Sequence, residues 1–192
     1  MGINPGKACS LKVFQSNGDA NAIEELPGDI AFQSPGENSI LHKGQGLSFT
    51  WTKATGADHY IFDLYIEYDY EDTSGWWTYF DLDTIITIFD TTQTSLNIPA
   101  NIIFPNDVAV VYGGYGYAQI LAESGPLLGR VKDGNIKGNG VGYFYAQNES
   151  KTLYIIIEET QVGKSVDKIK EPLSQKLLKR RIEQFKKLEA TD

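Results

Sequence analysis

The sequence predicts a mainly β protein: an antiparallel β-sandwich with an extra N-terminal strand and a C-terminal amphipathic helix. Two runs carry the prediction. In Leu47-Ser-Phe-Thr-Trp51, Leu47, Phe49 and Trp51 alternate with Ser48 and Thr50. In residues 60–68, Tyr60, Phe62, Leu64, Ile66 and Tyr68 share one face, opposite Ile61, Asp63, Tyr65 and Glu67. A period of two over that length means strands with one buried face and argues against helix. Lys53-Ala-Thr-Gly-Ala-Asp58 carries turn residues, so the two runs are read as consecutive strands.

The remaining elements follow in order. Residues 8–14 read as a first strand, with Cys9, Leu11 and Val13 on one face, before a turn at Ser16-Asn-Gly-Asp19 and a break at Leu26-Pro-Gly-Asp29. A short edge strand is expected over 30–33. Beyond the opening pair come 76–89, 94–98, 107–112 and 117–122, the last two separated by Gly113-Gly-Tyr-Gly116, then 141–146 and 152–158. Short strands at this spacing, divided by Gly, Pro, Asn and Asp, indicate packed sheets and not an α/β fold. Past Thr160 the period changes. Leu173, Leu177, Leu178, Ile182, Phe185 and Leu188 recur at three and four, which predicts a helix from about Glu171 to Glu189. The expected division is 1–28 as N-terminal strand and linker, 29–160 as the β domain, and 161–192 as a helical tail. Docking of that tail across a homodimer interface is the expectation; lying on a membrane surface is the alternative.

A chain of 192 residues with 41% hydrophobic and 22% charged content has enough apolar surface to build a core without crosslinks. One cysteine, Cys9, rules out an internal disulfide and is read as a buried, inert thiol. No run reaches the ~18 apolar residues that cross a bilayer as a helix. The net charge of −8 is unevenly spread. Between Lys53 and Arg130 there is no Lys or Arg, whereas Lys164, Lys168, Lys170, Lys176, Lys179, Arg180, Arg181, Lys186 and Lys187 crowd the tail. An acidic body repels phosphates, so nucleic acid is not expected as a partner.

Enzyme signatures are missing: there is no Gly-x-Ser-x-Gly, no Walker-type loop and no His-Glu-x-x-His. His42 and His59 are read as surface or strand-end residues. Two features remain. Asp69, Glu71, Asp72, Asp81 and Asp83 would suit Ca²⁺ if adjacent strands gathered them at one end, since hard oxygen donors without His or Cys favour that ion; the bland reading is a solvated acidic face. Trp76, Trp77 and Tyr79 follow the turn Asp72-Thr-Ser-Gly75, with Trp77 and Tyr79 on one side of a strand. Aromatic rings beside carboxylates are what stacking recognition of sugars needs, and they equally suit a protein interface. Burial under the N-terminal segment or the tail is the third reading.

The stretch from about Asp29 to Glu158 resembles the fibronectin type III and wider immunoglobulin-like sandwich group. Phe49-Thr-Trp51 is followed nine residues later by Tyr60, and Gln119-Ile-Leu-Ala122 precedes Ser124-Gly125. Trp51, Tyr60, Ile120 and Ala122 fit the group's positions. Gly116 stands where the group has a corner tyrosine, Ile103-Phe-Pro105 keeps its Leu-x-Pro corner loosely, and Val108–Tyr112 is inserted. The resemblance implies a binding or spacer module of an exported protein. The expected function is therefore a non-catalytic module of an extracellular or cell-envelope protein that contacts a protein or glycan; the alternative is a Ca²⁺-assisted carbohydrate-binding module.

Overall fold

The computed structural model describes residues 4–14, 16, 18–127 and 134–157. The tail helix expected beyond Thr160 lies outside the described residues. The fold is mainly β, with strands β1 (Ala8–Val13), β2 (Ala20–Glu25), β3 (Phe32–Ser34), β4 (Ser39–Leu41), β5 (Leu47–Trp51), β6 (His59–Asp72), β7 (Trp77–Ile88) and β8 (Ser95–Ile98). One helical turn, α1 (Ala100–Ile103), precedes β9 (Val108–Ser124), β10 (Lys137–Gly138), β11 (Ala146–Glu149) and β12 (Leu153–Ile157).

These strands form three sheets. The largest runs β4-β12-β9-β6-β7, with β11 added alongside β9; a second runs β3-β5-β8; a third joins β1, β2 and β10. The first two lie on either side of one core, an arrangement compatible with a β-sandwich. Phe49 of β5 meets Phe62 of β6 edge-on with ring centroids 4.9 Å apart, and Trp51 meets Tyr60 at 6.0 Å. The row expected to face inward on β6 (Tyr60, Phe62, Leu64, Ile66 and Tyr68) is fully buried, as are Ile120 and Ala122 on β9. The Tyr60 hydroxyl accepts the Ala54 N–H at 3.2 Å and donates to the Thr91 carbonyl at 3.3 Å. The Tyr68 hydroxyl donates to the Ile103 carbonyl at 2.8 Å, which ties α1 to the core.

Several expectations need correction. A strand that was not expected, β2, occupies Ala20–Glu25 within the N-terminal segment and pairs antiparallel with β1 and with β10. The alternation of Ala20 and Ala22 with polar neighbours is the strand signal there, and small side chains make it weak. Gly113–Gly116 does not interrupt a strand. β9 runs unbroken through it and pairs with β6 along nearly its whole length, with irregularities only beside Tyr70 and Asp72. The strand expected at 141–146 begins only at Ala146. Cys9 is half-buried, not fully buried, because β1 is an edge strand whose Val13 is exposed.

The largest correction concerns β6. Its second face is not a solvated one: Ile61 is 2%, Asp63 1% and Tyr65 3% exposed. The chain alternates as predicted, but β6 sits between β7 and β9 in the middle of the sheet, and both sides of it are covered.

Candidate ligand-binding face

The register places the side chains of that second face in rows. Tyr65 lies between Asp83 of β7 and Tyr117 of β9, Glu67 between Asp81 and Tyr115, and Asp63 between Ile85 and Gln119. One step further toward the hairpin, Asp69 lies opposite Tyr79 and Glu71 opposite Trp77. The β6–β7 hairpin therefore carries carboxylates on β6 facing aromatic rings on β7 at its outer end. It carries the reverse order, Tyr65 facing Asp83, further in.

Glu67 organises the centre. The hydroxyls of Tyr65 and Tyr79 both donate to its Oε2, the second at 2.7 Å. Tyr65 also stacks on Tyr117, with centroids 5.4 Å apart and planes 24° from parallel. Burial, and then the Glu67 carboxylate, push the Tyr65 hydroxyl far above its ordinary pKa and push Tyr115 up to about 12. These phenols stay protonated at any physiological pH, so they act as fixed donors to the carboxylate and not as acids.

At the outer end the aromatic side chains are open. Trp76 is 74%, Trp77 72% and Tyr79 51% exposed, so none of the described residues buries them. Tyr112 of β9 joins them: its hydroxyl donates to Glu71 Oε2 at 2.6 Å, and its ring meets Trp77 at 6.0 Å, 73° from parallel. Phe80, on the opposite side of β7, packs on the core as the alternation requires. Tyr112 was not singled out in the sequence. The irregularity in pairing beside Tyr70 decides its side, and no residue pattern announces that shift.

The proposed metal ligands do not gather at one end. Asp72 stands at the tip, while Asp83 pairs opposite Tyr65, seven residues back along β6. At ~3.3 Å per residue that separates the extremes by roughly 23 Å. Asp72 is also committed locally: its Oδ1 accepts the N–H groups of Ser74 at 2.8 Å and Trp76 at 3.0 Å. The Trp76 N–H above all holds its carboxyl below the usual range. Glu71 is engaged by Tyr112. Among the described residues, no group of three or more His, Cys, Asp or Glu side chains is set to hold a metal ion. A Ca²⁺ site at Asp69, Glu71, Asp72, Asp81 and Asp83 thus lacks its geometric basis, because a long hairpin spreads alternate residues along its length.

The two histidines part company. His42 is exposed in a turn, but His59 starts β6 at 2% exposure with its Nε2 3.1 Å from Glu123 Oε1, close enough for an ion pair though not aligned as a hydrogen bond. Direct cross-strand pairing of the two residues brings them together. The sequence hint was a glutamate inside the otherwise strand-like Gln119–Ser124.

No family model matches this chain, and no curated protein matches it.

Proposed function

We propose that this chain is a non-catalytic recognition module of an exported or cell-envelope protein, and that it contacts a protein or glycan through the aromatic end of the β6–β7 hairpin. The reading takes 29–160 as an immunoglobulin-like sandwich of the fibronectin type III kind. Two opposed sheets with Trp51 against Tyr60 at their centre support it. The observation that carries the functional part is the solvent exposure of Trp76, Trp77 and Tyr79 on one hairpin. Large rings are costly to leave in water, at ~25 cal/mol per Å² of apolar surface. Trp and Tyr are also the side chains that anchor interfaces most often. Fold alone names no ligand.

A glycan is the more specific form of the reading. Trp77 and Tyr112 present two rings at a steep angle with the Glu71 carboxylate beside them. Ring faces accept the C–H side of a sugar while a carboxylate accepts its hydroxyls. Calcium has no part in this version.

A glycan array probed with the full-length chain and with Trp77→Ala tests the proposal. Binding that disappears in the variant, with unchanged circular dichroism, is the expected result. Equal binding by both proteins would move the site elsewhere, and a blank array would leave a protein as the partner.

A further inference from the structure

We propose that the outer edge of β7, over residues 79–87, takes up an extended peptide strand in which lysine or arginine alternates with an apolar residue. The site goes beyond the recognition reading: it uses the backbone of the strand and not the exposed rings, and it stands whether or not those rings bind a ligand.

The first argument is an unfinished ladder. Among the described strands β7 pairs with β6 alone and ends the largest sheet. It has 12 residues, whereas β1 has six and β3, β4 and β8, which end other sheet edges, have three or four. Proteins keep exposed edges short because a bare edge is a template for another strand. The register tells which groups are bare. The Asp72 N–H donates to the Trp76 carbonyl at 2.9 Å, so that pair is of the hydrogen-bonded kind. Such pairs alternate along an antiparallel ladder. From Trp77 to Ile88 the pairing with β6 runs without a register shift. The even-numbered residues of β7 therefore bond β6, and the odd-numbered ones turn their N–H and C=O groups outward. Among the described residues, no other strand or loop backbone bonds these groups at Tyr79, Asp81, Ile85 and Thr87.

Side chains give the second argument. Phe80, Leu82 and Ile86, on the core side of β7, are only partly buried where they pack on the core. An added strand with apolar residues on that side would complete their burial. On the other side Asp81 and Asp83 are exposed, and β6, β7 and β9 together carry no Lys or Arg. Residues directly opposite on neighbouring strands lie close enough for opposite charges to attract and like charges to repel. The edge thus selects basic side chains in alternation with apolar ones. In strand addition the backbone gives affinity and alternate side chains give specificity. A second copy is selected against: an antiparallel pair of β7 strands centred on Leu82 would set each Asp81 opposite an Asp83.

A soluble peptide of alternating lysine and valine, titrated into ¹⁵N-labelled full-length protein, tests this. In the free protein the Asp81, Ile85 and Thr87 amides should exchange quickly with solvent, and the peptide should slow them. Slow exchange before any peptide is added would show the edge to be covered already and overturn the proposal. So would exchange that the peptide leaves unchanged. The Asp81→Lys/Asp83→Lys double variant should lose the lysine peptide and gain its counterpart with glutamate for lysine; an unchanged preference would contradict the charge selection. Of two N-methylated peptides, one methylated at the valines and one at the lysines, only one should bind, since a ladder uses alternate amides. Equal binding by both would reduce the contact to charge and overturn strand pairing. Trp77→Ala should bind the lysine peptide as the parent does; loss there would move the peptide to the aromatic end and away from this edge.

Discussion

Trp51→Ala is expected to unfold the protein or to bring it close to unfolding. The indole is 1% exposed between the two sheets, against Tyr60 and Phe62. Truncating a buried aromatic in a core costs ~3–5 kcal/mol, which is much of the ~5–15 kcal/mol that holds a domain folded. The indole Nε1–H has no hydrogen-bond partner among the described residues, so the side chain stabilises by packing alone. That makes Trp51→Phe an informative control. It keeps a ring in the cavity and removes the orphan donor, so its loss should be far smaller than that of Trp51→Ala. Urea unfolding followed by circular dichroism measures both. Similar stability for Trp51→Ala and the parent would mean that the face of β5 is assigned wrongly.

Gly114→Ala is expected to rival it. A Cβ at this position would stand 2.1 Å from the Glu67 carbonyl oxygen and 2.6 Å from the Tyr68 Cα, both backbone atoms of the adjoining strand. Neither can swing aside as a side-chain tip would, so β6 and β9 would have to separate. Overpacking of this kind costs ~1–3 kcal/mol, and a backbone obstacle places it at the upper end. The same urea titration, with exchange of the β6 amides as a local readout, decides it. A neutral Gly114→Ala would show that the close approach of the two strands is relaxed in solution.

Gly114 also illustrates where sequence reading ends. Gly-Gly-Tyr-Gly looks like a break because glycine weakens strands on average. Here the glycine is required by a neighbouring strand, and a neighbour distant in sequence leaves no trace in the local pattern. The alternating rows of β5 and β6 were legible because the side-chain period survives any partner. The position of β6 in the middle of the sheet was not, so the Asp63 and Tyr65 side was expected in water. The candidate site divided in the same way. The placing of Trp77 and Tyr79 on one side of β7, opposite Phe80, followed from alternation alone; which side turns inward did not. The scattering of the five carboxylates followed from where the hairpin turns and how far each strand runs, and the joining of Tyr112 to Glu71 from an irregularity in pairing.

The account depends most on the hairpin end being open on the full-length chain, and the three tryptophans report it directly. Their indole N–H signals in a ¹⁵N-labelled sample, recorded with and without a soluble paramagnetic probe, separate buried from exposed rings. The account predicts strong broadening of the Trp76 and Trp77 signals and a sharp, unaffected Trp51. Trp76 and Trp77 signals as well protected as that of Trp51 would show the aromatic end to be covered by the chain itself, and the recognition surface would not exist.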